Sequence, residues 1–121
     1  MTQILIVEDD LFLLKIKQAK LIQGGYEVFT AHDGEEALQI LESQTPDVIV
    51  LDVAMPILNG FDTLQKIRKN PKYAHTPIII LTNLNQESDV KRGMDLGATD
   101  YLIKSNVSID DVIARIEKHT K

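Results

Sequence analysis

Three uninterrupted aliphatic runs, at residues 4–7, 48–51 and 78–81, constrain this chain more than any other feature. Runs of four with no polar alternation belong to strands covered on both faces, the situation found in parallel sheets. Each run stops at polar residues: Glu8-Asp9-Asp10, Asp52 and Thr82-Asn83. Open parallel sheets collect ligands and chemistry at the carboxyl ends of their strands. Asp52 is therefore a candidate site, and the chain beyond it breaks through Met55-Pro56 and Asn59-Gly60, which serve as loop geometry.

The segments between the runs read as helices. Residues 11–23 are helix-forming, with Asp10 placed to cap them and Gly24-Gly25 to close them. A short strand is predicted at 26–30. Asp33 and Glu36 have capping-box spacing ahead of a stripe made by Ala37, Leu38 and Leu41. Phe61, Leu64 and Ile67 share one face of a helix over 61–68, which Asn70-Pro71 stops. Asn85 is expected to cap a helix running to about Leu96, with Gly97 beyond it. A fifth strand at 101–103 ends on Lys104. Ser108 and Asp111 then cap a last helix with the stripe Ile109, Val112, Ile113, Ile116. Five strands alternating with five helices predict an α/β fold, an open, doubly wound parallel sheet with helices on both faces.

The first helix holds more apolar residues than one stripe needs: Leu11, Phe12, Leu13, Leu14, Ile16, Leu21 and Ile22. Most are expected in the core or against the last helix, with Leu13 and Ile16 left over near the strand ends as a docking surface. At 121 residues the chain is expected to form one domain. A net charge of -5 argues against a nucleic-acid footprint, and the absence of cysteine excludes disulfides and thiolate metal sites. The first apolar run stops at Glu8, so neither a signal peptide nor a membrane span is expected, and a cytoplasmic location is. His32, His75 and His119 are scattered away from the strand ends and are assigned no chemistry.

The polar groups at the strand ends are Glu8 and Asp9, Asp52, Thr82, and Lys104. In a sheet whose first and third strands are neighbours, the three carboxylates converge at the switch point. Such carboxylates need a counter-charge to stay ionised together. Oxygen-only ligands with room for water suit Mg²⁺. Thr82 and Lys104 then form a donor pair aimed at a further anion, for which a phosphoryl group on Asp52 is the natural choice.

Four motifs, Ile-Val-Glu-Asp-Asp, Leu-Asp-Val-Ala-Met-Pro-Ile-Leu-Asn-Gly around Asp52, Thr82, and Gly97-Ala98-Thr99-Asp100-Tyr101-Leu102-Ile103-Lys104, resemble the receiver domain of two-component response regulators. The resemblance spans essentially the whole chain. It implies a flavodoxin-like fold of strand order 2-1-3-4-5, with the receiver occupying 1–121 and no effector domain. It also implies that Asp52 accepts a phosphoryl group from a phosphohistidine on a histidine kinase or histidine phosphotransfer protein. Asp9 would bind Mg²⁺ (or Mn²⁺) directly, Glu8 through water, and Ala54 through its backbone carbonyl. Lys104 and Thr82 would hold the phosphoryl oxygens, and Thr82 and Tyr101 would act as switch residues. Their movement would repack the surface of the fourth helix, fifth strand and fifth helix, where an output protein or a missing effector domain would bind. Such a domain is not a conventional enzyme, although it promotes its own phosphorylation and dephosphorylation.

Two positions depart from the common receiver pattern. Ser105 follows Lys104 where proline, often after a cis bond, is usual; serine strongly prefers trans, which bears on the path of Lys104. Asn83 follows Thr82 where a smaller residue is commoner, so a changed phosphoryl lifetime is expected. The rival reading is a pseudo-receiver that docks proteins without phosphorylation, and retention of all five site residues argues against it. A flavodoxin-type cofactor binder would need a phosphate-binding loop where this chain has Glu8-Asp9-Asp10, and a phosphatase would need substrate-binding insertions.

Overall fold

A computed structural model describes residues 1–54 and 59–120. Five parallel strands form one sheet in the order β2-β1-β3-β4-β5. They are β1 (Gln3–Val7), β2 (Glu27–Ala31), β3 (Val48–Leu51), β4 (Ile78–Thr82) and β5 (Asp100–Ile103). The helices are α1 (Leu11–Gln23), α2 (Gly34–Ser43), α3 (Gly60–Lys69), α4 (Glu87–Asp95) and α5 (Ile109–Thr120).

Alternation along the central strands divides the core in two. Leu5, Val7, Ile49, Leu51, Ile78 and Ile80 pack with Ala37 and Leu41 of α2 and Phe61, Leu64 and Ile67 of α3. Ile4, Ile6, Val48, Val50, Ile79 and Leu81 face the other way, against Leu14 and Leu21 of α1 and Val112 and Ile116 of α5. The aliphatic runs are buried because both of their faces are covered.

Helix starts follow the capping residues. The Asp10 carboxylate accepts from the Phe12 and Leu13 amides at 3.0 and 3.1 Å. Asp33 accepts from Glu36 at 2.8 Å, and Ser108 and Asp111 cap α5 reciprocally at 3.1 and 2.8 Å. One expected start is corrected: α4 begins at Glu87 after Gln86, not after Asn85, because the Asp89 carboxylate accepts from the Gln86 amide. The second and fifth strands are also displaced or extended by one residue relative to the pattern, to 27–31 and 100–103.

The first helix corrects a larger expectation. Only Leu14 and Leu21 of its seven apolar residues are buried, whereas Leu11, Phe12, Ile16 and Ile22 are exposed, Phe12 by 72 %. The sheet and α5 cover one side of α1 only, so residues around the rest of its circumference have nothing to pack on.

Glycine at position 60 holds the end of β3 against α3. A Cβ there would lie 2.2 Å from the Val53 Cα and 2.5 Å from the Asp52 carbonyl oxygen. The Gly60 amide donates to the Val53 carbonyl at 3.2 Å, and the Asn59 side chain caps the helix through the Phe61 amide at 2.8 Å. Met55-Pro56, expected to shape the same loop, lies outside the described residues. Gly60→Ala forces backbone apart at this junction and is expected to lower stability by about 2–3 kcal/mol in urea unfolding, against a few tenths for an alanine in open space.

Candidate phosphoryl-acceptor site

The register of β1 on β3 builds the site. Val7 lies beside Leu51, so the next residues, Glu8 and Asp52, leave the sheet side by side. The Asp52 amide donates to the Val7 carbonyl at 3.1 Å, which carries the strand pairing to the edge of the pocket. Ligand oxygens of Glu8, Asp9 and Asp52 all lie within 4.8 Å of one another. Glu8 and Asp52 are buried, and Asp9 stands at the mouth.

Lys104 enters from the end of β5. Its Nζ is 2.6 Å from Asp52 Oδ2 and 2.6 Å from Glu8 Oε1, so a single ammonium bridges the two buried carboxylates. No cis peptide bond occurs among the described residues, in keeping with Ser105, and residues 104–106 form a short 3-10 turn that still delivers the ammonium to Asp52. The other oxygen, Asp52 Oδ1, accepts from the Ala54 amide at 2.9 Å. Thr82 is fully buried at the end of β4, and its hydroxyl accepts from the Leu84 amide at 3.4 Å. Tyr101 is half-buried on β5 and donates to the Leu84 carbonyl at 2.8 Å. Burial, and then the charges of Asp89 and Asp52, push its hydroxyl up to about 12.

Pattern reading missed two features. Lys17, two turns into α1, donates to the same Glu8 Oε1 at 2.8 Å. Its position among apolar neighbours in α1 was the available signal, but the pairing depends on how α1 lies over the sheet. The second is Gly93, where a Cβ would lie 2.7 Å from Ile80 Cδ1 and 3.1 Å from the Tyr101 ring; the ring occupies the space this glycine leaves. Leu13 and Ile16, expected near the strand ends as a docking surface, form with Lys17 one wall of an apolar groove of about 290 Å³ whose other wall is Val107, Ile109 and Val112 of the last helix and the turn before it.

The electrostatics follow from this packing. Burial alone would raise the Glu8 carboxyl, but hydrogen bonds from Lys104 and Lys17 outweigh it and hold the group at about 2. Burial would lower the Lys104 ammonium, and its bonds to Asp52 and Glu8 reverse that and raise it. Among the described residues Asp9 has no such partner: loss of solvent, and beyond it Glu8 and Asp52, raise its carboxyl above the ordinary aspartate value. The signs differ accordingly. The contribution of Glu8 to stability is present above about pH 4.5 and is lost as pH falls towards 2. That of Lys104 is present below pH 10.5 and is lost as pH rises through its folded value. Asp9 instead lowers stability once it ionises.

Among the described residues this triad is the one group of three carboxylates or imidazoles able to share a metal ion. Oxygen donors at this separation fit a small divalent cation that retains water. Without divalent ions, Asp9→Asn is expected to raise stability at pH 7 by about 0.5–1 kcal/mol, the range for solvent-screened pairs. Chemical unfolding followed across pH tests this, and the gain should vanish below about pH 3.8, where aspartate is protonated in both states.

The comparisons with known proteins agree with this geometry. The family model for the response regulator receiver domain matches residues 4–117. The alkaline phosphatase synthesis transcriptional regulatory protein PhoP of Bacillus subtilis is 40% identical over 115 residues, covering 95% of this chain and 47% of PhoP. The chain spans half or less of the length of the curated relatives it matches. Among solved structures, chemotaxis protein CheY4 of Vibrio cholerae superposes with a TM-score of 0.92 at 32% identity, covering 98% of both chains. TrrA of Thermotoga maritima, solved in complex with Mg²⁺-BeF, superposes at 0.86 with 31% identity, covering 98% of this chain and 99% of TrrA. No described helix is long and apolar enough to cross a membrane. With its strand order, its carboxylate triad and its lysine all in place, this chain belongs to the response regulator receiver domain family.

Proposed function

We propose that this domain takes a phosphoryl group onto Asp52 from a phosphohistidine of a histidine kinase or phosphotransfer protein, with Mg²⁺ bound by Glu8, Asp9 and Asp52. The observation that carries this reading is the Lys104 ammonium on Asp52 Oδ2, beside the acidic triad. A carboxylate oxygen of Asp52 attacks phosphorus, and the phosphorus–nitrogen bond breaks with its electrons returning to the imidazole. The divalent ion supplies charge neutralisation on the phosphoryl oxygens. Asp9 and the Ala54 carbonyl are assigned as direct ligands and Glu8 as a water-mediated one, with Mn²⁺ as an alternative ion.

Lys104 then exchanges its place on Asp52 for the phosphoryl oxygens, and Thr82 donates its hydroxyl to them. The acceptor passes from one negative charge to about two and gains strong acceptor oxygens. A swing from mostly inactive to mostly active requires about 5 kcal/mol of differential stabilisation. New charge-assisted hydrogen bonds from Lys104 and Thr82 are of that order. As Thr82 moves, Tyr101 gives up its bond to the Leu84 carbonyl and turns inward, repacking the α4–β5–α5 surface for an output partner.

Incubation with Mg²⁺ and a small phospho-donor is expected to add one phosphoryl mass to the wild type and none to Asp52→Asn. A chain that gains no Asp52-dependent mass is a docking module instead. In the same assay, Asn83→Ala is expected to change the decay rate of the phosphorylated form, since Asn83 follows Thr82 in the chain and lines, with Lys104, the groove beside the acceptor.

The exposed apolar side of α1 and its groove against α5 are assigned to the phospho-donor, because they adjoin the acceptor and are free of other packing. Replacing Leu13 and Ile16 together by alanine is expected to slow transfer from the cognate kinase at least tenfold while leaving phosphorylation by a small donor intact. Equal slowing with both donors would place the defect in the acceptor rather than in docking.

A further inference from the structure

Lys17 adds a second cation to this site: Glu8 Oε1 receives two ammoniums, Lys104 at 2.6 Å and Lys17 at 2.8 Å. The Lys17 side chain is only 14 % exposed, and its stem is laid along the apolar groove between α1 and α5. The two lysines differ in what else they touch. Lys104 also holds Asp52, whereas the carboxylate recorded against the Lys17 ammonium is that of Glu8. Taking the three carboxylates and two ammoniums as ionised, the cluster carries one net negative charge with Lys17 and two without it.

From this we infer that Lys17 is a standing counter-ion of Glu8, a positioning residue that weakens the pocket's hold on a divalent cation. The inference rests on the metal-site reading of the triad. A divalent ion entering between Glu8, Asp9 and Asp52 meets a fixed positive charge a few ångströms away, on the carboxylate it must share. Lys104 can follow Asp52 or an anion attached to it; Lys17 is anchored on α1 and stays. The domain therefore loads its metal only at higher free Mg²⁺ than the triad alone would require.

The opposing hypothesis is that Lys17 merely holds Glu8 in place, so that losing it would weaken metal binding. The two differ in sign. A unit charge opposing a divalent one over a few ångströms is worth about tenfold in affinity even at the screening of bulk water.

The test is a Mg²⁺ titration of the whole chain followed by amide NMR shifts at Asp9 and Ala54, with folding checked by thermal melting. Lys17→Met and Lys17→Gln are expected to bind Mg²⁺ about tenfold more tightly than wild type, and Lys17→Arg to bind as wild type does. Lys20→Met, which removes an exposed charge from the last turn of the same helix, should leave the affinity unchanged. Unchanged or weaker binding in both neutral Lys17 variants would overturn the inference, as would an equal gain in Lys20→Met. Asp9→Asn separates this failure from that of the site itself: if it binds Mg²⁺ as wild type does, the triad is not the metal site and both readings fall.

Discussion

One ammonium shared by two buried carboxylates is the interaction on which the architecture turns. Glu8 and Asp52 are almost wholly removed from solvent, where two carboxylates side by side need a counter-charge. Lys104, 2.6 Å from each, places a positive charge between them. Under the proposed function, Asp52 is already in contact with the cation that would answer its added charge. The pocket holds three carboxylates and two ammoniums. Its remaining imbalance falls on Asp9, where access to water keeps the penalty small.

The fold exists, in this sense, to bring strands 1, 3 and 5 to a common edge. Parallel pairing fixes Glu8 beside Asp52 with no freedom of register, because a slip by one residue would turn each aliphatic run inside out. Runs buried on both faces tolerate a slip no better, since the residue entering the sheet would be Glu8 or Asp52 itself. Gly60 completes the constraint from the other side, by letting α3 start in van der Waals contact with the chain that leaves β3.

What was legible in the chain was what depends on local pattern. The aliphatic runs, the caps at Asp10, Asp33 and Ser108, and the polar residue at each strand end are properties of neighbouring positions, and the structure retains them. The strand order was legible only through family resemblance. The less readable features depend on how elements lie against one another. Whether Leu11 and Ile22 are core depends on how much of the α1 circumference is covered, and hydrophobicity alone overstates it. Lys17 looks like an ordinary helix lysine until α1 is laid over the sheet, where alternation has put Glu8 beneath it. Gly93 reads as a weak point in a helix and proves to be the space for an aromatic ring from β5. Asn85 lost the capping position to Gln86, whose amide donates to the Asp89 carboxylate, a choice among near-equal alternatives.

The Tyr101 ring and Gly93 bear on how much a phosphoryl group must do. Glycine inside a helix costs roughly 1 kcal/mol relative to alanine, so α4 is marginal where it meets the ring. The Tyr101 hydroxyl is tied to the Leu84 carbonyl, two residues from Thr82, and the Leu84 amide is tied to the Thr82 hydroxyl. One short loop therefore carries both restraints, and the proposed movement of Thr82 would strain the Tyr101 bond without any long path of communication. For the proposed switch, a weakened helix on one side and a single hydrogen bond on the other would keep the two arrangements close in energy. In that setting, the few charge-assisted bonds that one phosphoryl group on Asp52 would make, under the proposed function, are of the size needed to decide between them.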